Sequence, residues 1–459
     1  MGTRTRVWAL VTLASWGLGC GTSGAEESSS ADPGTVAAAG QSGEVPDAAT
    51  ALRLRGQGSQ GLRRALELYD AADRSDDPQA WERFVDTVAA ARDTSTARLF
   101  WETDLARAKA EAKRRGLPIL SLRMLGDLRD ELSCANSRFF RTTLYADPDV
   151  SESLREDFVL HWSSEREVPV VEITFGDGRT IKTTTTGNSI HYLLDADGLV
   201  LDAAPGLYST GGFARILQEM KSLAEGGPDA ATVRAHHERA QLQAEDKMAS
   251  WLSRYGPDDS WQSWWCDDPS SELRPGCPGS FNSAPPPRPQ QPPTDLALAL
   301  AAQRVTASKA MIEVPTLRAL GAREVPAIPR EQALDQVFAQ LTALGTVAVL
   351  LSEPAQALIR RDRPPTPGES ASDHEARLAA MMRRFQSTIA TDELKNEYDL
   401  RISLHRWLAD DNTDRSFEVF NERVYRELFL TAASDPWLGL VDSETYDGLI
   451  EAGITRIPG

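Results

Sequence analysis

Between Thr103 and Phe140 the chain runs through a helical stretch, an apolar run, a polar turn and a second helical stretch, an order that few folds accommodate. Thr103 to Arg115 is rich in Ala, Leu, Lys and Glu and meets no breaker until Gly116, which predicts a helix. Pro118 then opens Ile119 to Leu125, short and mostly apolar, which reads as a buried strand. The polar turn Gly126 to Glu131 leads to the tetrapeptide Cys134-Ala135-Asn136-Ser137, and helical character resumes through Phe139 and Phe140. A cysteine is thus expected at a strand-to-helix junction of an α/β domain.

This layout resembles the thioredoxin-like superfamily, in particular its bacterial members in which an Ala-x-x-x-Ala-Lys helix precedes a Gly-x-Pro strand and a Cys-x-x-Cys. The matching residues are Ala108, Ala112, Lys113, Gly116, Pro118 and Cys134, followed by Asp147-Pro148-Asp149-Val150 and the strand-like Phe158-Val159-Leu160. Tyr192 to Leu201 resembles the fourth-and-fifth-strand hairpin of that fold, and Gly206 with Phe213 to Leu223 its closing helix. The resemblance implies a central mixed sheet flanked by helices over residues 99–225, with Cys134 and the position of Ser137 as its redox centre.

Two departures bear on that centre. Ser137 stands where the family carries its second cysteine, and Ser189 or Ile190 falls where its cis-proline faces the motif. Unpaired N–H groups and the positive end of a helix dipole favour a thiolate at such a junction. Without a resolving thiol, however, a mixed disulfide cannot be released from within. The expected catalytic set is therefore Cys134, Ser137 and His191, the last because it lies near the lost proline, where it stabilises a thiolate or simply hydrogen-bonds within the structure. The readings that follow are a scaffold or interaction module on a degenerate thioredoxin-like fold and, alternatively, a monothiol oxidoreductase or redox sensor.

The N-terminus narrows the setting. Arg4 and Arg6 precede an apolar run from Val7 to Leu18 and then Gly19-Cys20, the form of a bacterial export signal too short to span a bilayer in the mature chain. The residues before Cys20 resemble a lipobox, so residues 1–20 are read as a lipoprotein-type signal, Cys20 as the lipidation site, and the cell envelope as the location. Residues 21–56, low in large apolar side chains, read as a disordered tether. A formal charge of −18 with no clustered basic surface excludes nucleic acid as a partner and leaves envelope proteins and the membrane. With Cys20 acylated, Cys266 and Cys277 are the near pair expected to form a disulfide in an oxidising compartment.

The remaining segments follow from periodicity. Leu62, Leu66 and Tyr69, then Trp81, Phe84, Val85 and Val88, predict two amphipathic helices broken at Ser75 to Pro78, a cap over residues 57–98. β-Branched runs around Gly176-Asp177-Gly178 predict a hairpin inserted just before the stretch facing Cys134. Ala230 to Tyr255 reads as a long polar connecting helix; its adjacent His236 and His237 point in different directions and make a poor metal pair. A proline-rich loop fills 256–293, and 294–459 is expected to form a mainly α-helical C-terminal domain. No phosphate-binding loop, nucleophile elbow or His-Glu-x-x-His occurs, so neither a cofactor nor a metal is expected.

Overall fold

The computed structural model describes residues 44–255 and 351–429, apart from 169, 175, 179 and 185–187. Expectations for the signal and Cys20, for Cys266 and Cys277, for the proline-rich loop and for residues 294–350 and 430–459 of the C-terminal domain lie outside these residues.

A four-stranded mixed sheet carries the α/β domain. It consists of β1 (Ile119–Leu125), β2 (Val159–Arg166), β5 (Ser189–Leu194) and β6 (Val200–Pro205), ordered β2-β1-β5-β6. β1 runs parallel to β2 and antiparallel to β5, and β6 is antiparallel to β5. Every residue of β1 is buried, as a central strand covered on both faces requires. Helix α4 (Leu105–Arg115) precedes it; Asp104 caps the start by accepting from Ala106 N and Arg107 N, and Gly116 ends it at φ 67°. Its buried Ala108 and Ala112 are small enough to lay the helix close against the sheet.

Between β1 and β2 come α5 (Ala135–Phe139), a wider turn at Phe140–Leu144 closed by Tyr145 N–H to Phe140 O at 2.7 Å, and α6 (Pro148–Asp157). The β5–β6 turn is folded by Asp195, whose Oδ1 accepts from Asp197 N at 2.9 Å and Leu199 N at 2.8 Å. Helix α7 (Thr210–Ala224) then closes against β6. The inserted hairpin forms as expected, β3 (Val170–Thr174) with β4 (Thr180–Thr184), as a separate two-stranded sheet.

The N-terminal helices α1 (Ala48–Gly56), α2 (Ser59–Ala71) and α3 (Pro78–Ala89) have their own small core around Leu54, Leu62, Trp81, Phe84 and Val85. Two of them match the expected cap. The third corrects the tether, whose last residues are helical: Asp47 caps Thr50 N at 2.8 Å, and Ala51 and Leu54 are buried. These two buried side chains, with Arg55 donating to Val88 O and Trp101 O, anchor a segment that composition alone marks as chain without a core.

Beyond α7, α8 (Ala230–Tyr255) has the expected bounds. The described C-terminal helices are α9 (Glu353–Arg361), α10 (Ala371–Lys395), α11 (Arg401–Ala409) and α12 (Phe417–Arg423). The last three share the core of the sheet: Ile389, Leu404, Leu408, Phe417, Phe420 and Tyr425 belong to the same buried cluster as Leu120 and Leu193, whereas Ala355 and Leu358 of α9 lie in a separate small cluster. Main chain joins the two parts directly, with Val200 N–H donating to Arg415 O at 2.8 Å. Among the described residues no helix is long and apolar enough to cross a membrane.

Candidate functional site

Cys134 sits where the sequence places it, at the N-cap of α5 beyond the end of β1. Its Sγ accepts from Ser137 N–H at 3.4 Å, and Ser137 Oγ donates to Cys134 O at 2.9 Å. The tetrapeptide is therefore closed on itself by a pair of capping bonds. Both residues have no exposed surface. Asn136 Nδ2 donates to Ser189 Oγ at 2.8 Å, so Ser189, at the start of β5, does face the Cys134 segment.

The C-terminal helices contribute to the core that holds the thiol. Phe385 of α10 packs edge-on against Phe139 with ring centres 5.8 Å apart. Tyr425, just past α12, is fully buried, and its phenol is pushed well above its ordinary value by burial first, then by the charge on Glu165. Tyr425 and Cys134 belong to the same buried cluster. The inserted hairpin also reaches α5, where Arg138 Nη2 donates to Thr184 Oγ1 at 3.0 Å.

His191 does not serve the thiol as expected. Its Nε2 shares a hydrogen bond of 2.7 Å with Tyr145 OH, and its ring packs between Phe140 and Phe213, each with ring centres 4.8 Å away. Burial lowers its pKa to about 3, so it is neutral and offers no positive charge to a thiolate. Of the three expected site residues, the structure joins Cys134 with Ser137 and assigns His191 to the core.

Beside this segment lies a cavity of about 140 Å³ lined by Asn136, Asn188, Ser189, Asp392 and Asn396 among others. A larger cleft of about 800 Å³ lies between α2, α4 and α6 and does not include Cys134. Three of its arginines are paired with carboxylates: Arg107 with Glu102, Arg114 with Glu111, and Arg98 with Asp70.

A second cluster was not visible in the sequence. Asp202 on β6, His237 on α8 and His405 on α11 converge so that one ligand atom from each lies within 4.8 Å of the others. His237 Nε2 is 2.8 Å from Leu201 O, and a carbonyl only accepts, so the ring proton is on Nε2 and the lone pair on Nδ1. That Nδ1 is 2.8 Å from His405 Nδ1. Burial is the main cause that lowers both imidazoles, His237 to about 4 and His405 further. Asp202 Oδ2 accepts from Arg401 at 3.1 Å and Oδ1 from Ala203 N at 2.7 Å. Burial alone would raise this carboxyl, but the Arg401 guanidinium outweighs it and holds Asp202 well below the usual carboxylate range. Arg401, itself buried, also meets Glu219 at 3.2 Å and Glu397 at 3.3 Å. Adjacent His236 remains outside the cluster, as its position on the helix dictates: its ring stands at 87° to that of His237. Comparison of the chain with protein-family models, curated proteins and solved structures finds no match to any of them.

Proposed function

We propose that this protein is a thioredoxin-like scaffold of the bacterial cell envelope, lipid-anchored through Cys20, whose thiol centre has become part of the core and whose role is interaction with envelope proteins. The fold reading is supported by the strand order β2-β1-β5-β6, with a parallel first pair, an antiparallel hairpin and a closing helix in the family's chain order. The observation that carries the functional reading is the burial of Cys134 with its sulfur used as a helix cap. Thiol exchange needs in-line approach of a second sulfur. Here the neighbouring position is a serine hydroxyl, Cys134 is the one free cysteine among the described residues, and the chain's own helices cover it.

The test is peptide-mapped alkylation together with a turnover assay. Cys134 is expected to resist alkylation in the native protein and to react once the chain is unfolded. Cys134→Ser is expected to retain the fold at a cost of about 1–3 kcal/mol for the hydroxyl placed in the core. Multiple-turnover reduction of an insulin-type disulfide by the wild type, abolished by Cys134→Ser, would replace the scaffold by an enzyme.

A further inference from the structure

We infer that Asp202, His237 and His405 form a buried structural site for a divalent transition metal of the zinc type, which fastens α8 and α11 of the later chain to β6. The inference goes beyond the scaffold reading and does not depend on it.

The donor set is two imidazole nitrogens and one carboxylate oxygen on three separate elements, a combination suited to zinc and its neighbours rather than to magnesium or calcium. Asp202 and His237 have no exposed surface and His405 only 4 %, so a bound ion would be enclosed by the protein, with three protein donors and the fourth tetrahedral position left to a water. Two of the donors are already aimed by outer partners. The Leu201 carbonyl fixes the His237 tautomer so that Nδ1 faces the cluster, and Arg401 with the Ala203 N–H orients the Asp202 carboxylate. Such outer hydrogen bonds are the usual support of metal ligands.

Charge points the same way. Asp202, Glu219 and Glu397 surround Arg401, and Arg215, bonded to Glu219 and Glu397, is the second cation. Three carboxylates against two guanidinium groups leave an excess negative charge beside the two imidazoles. A cation at the cluster offsets it. In its absence the facing nitrogens, 2.8 Å apart, hold a proton between them, with His405 Nδ1–H donating to His237 Nδ1. Bonds of about 2.1 Å at a tetrahedral angle require nitrogens about 3.4 Å apart, so loading spreads the rings by a fraction of an ångström.

The experiment uses the full purified chain, stripped with a chelator and titrated with Zn²⁺, followed by calorimetry and thermal unfolding. One equivalent is expected to bind at micromolar affinity or tighter. At 100 times the dissociation constant the midpoint should rise by about 5–10 °C. His237→Gln and His405→Gln should each weaken binding at least tenfold and abolish the thermal shift. Should either variant fail to fold, zinc X-ray absorption of the wild type decides: imidazole with oxygen and no sulfur supports the site, whereas sulfur in the coordination shell would assign the metal to cysteines elsewhere and overturn it. Millimolar or absent binding in the wild type, or stoichiometric binding retained by both folded variants, overturns it as well.

Discussion

Arg401→Met tests how the later helices are locked to the sheet. The guanidinium is 2 % exposed and contacts Asp202 at 3.1 Å, Glu219 at 3.2 Å and Glu397 at 3.3 Å. Methionine keeps much of the stem and removes the charge. Asp202, with no exposed surface, then loses its cation, and breaking a buried pair by removing one partner costs about 3–5 kcal/mol. The sign of the pH dependence follows from the two competing influences on Asp202. In the wild type Arg401 outweighs burial and the folded carboxyl lies below its ordinary value of 3.8, so its contribution is present at neutral pH and is lost only as pH falls through the depressed value. In the variant burial acts with the opposing cation gone, and the folded value moves up. The carboxyl then binds a proton more readily in the folded than in the unfolded chain. Its penalty is largest at pH 7 and shrinks toward pH 5. Urea unfolding of both proteins at the two pH values, in the presence of chelator, measures the difference. A deficit below about 1 kcal/mol, or one that does not change between pH 7 and pH 5, would refute the account of Asp202 as a charge held by Arg401.

Two further outcomes follow from the same geometry. Gly212 lies in the first turn of α7, where a Cβ would run into the Glu393 carboxylate, which accepts from Ser209 N at 2.8 Å; Gly212→Ala should cost about 1–3 kcal/mol, and the loss should vanish in a Glu393→Ala background, as a double-mutant cycle would reveal. Burial holds His161 and His237 to about 4, His191 to about 3 and His405 well below its ordinary value, so between pH 6.5 and 4 the unfolded chain binds more protons at these four sites and stability falls by up to about 1.4 kcal/mol per pH unit for each. Asp86, raised to about 7 chiefly by burial, works in the opposite direction, and a denaturation series that finds no net loss toward pH 4.5 would contradict the neutral state of the histidines.

Much of the fold was legible because it is written locally. The apolar run Ile119–Leu125, the breaker at Gly116, the Gly-Asp-Gly hairpin and the bounds of Ala230–Tyr255 are each set by neighbours in sequence, and the structure returns them with little change. Helix Ala48–Gly56 was missed because tertiary contacts, not composition, hold it: Ala51 and Leu54 are buried and Arg55 donates to Val88 O and Trp101 O. Cys134 at a helix N-cap was legible too, and Ser137 beside it. Whether that thiol faces solvent was not. The same tetrapeptide can be open or closed, and the core that buries it includes residues hundreds of positions further along, Tyr425 among them. His237 illustrates the limit most directly. Helical spacing correctly separates it from His236, but its partner His405 is 168 residues away and Asp202 lies on a strand, β6. Periodicity determines which face of an element is buried, because it acts over one or two turns. Which buried polar groups meet across that face depends on how whole elements pack, and in this protein the packing of α8 and α11 on β6 brings two imidazoles and a carboxylate together.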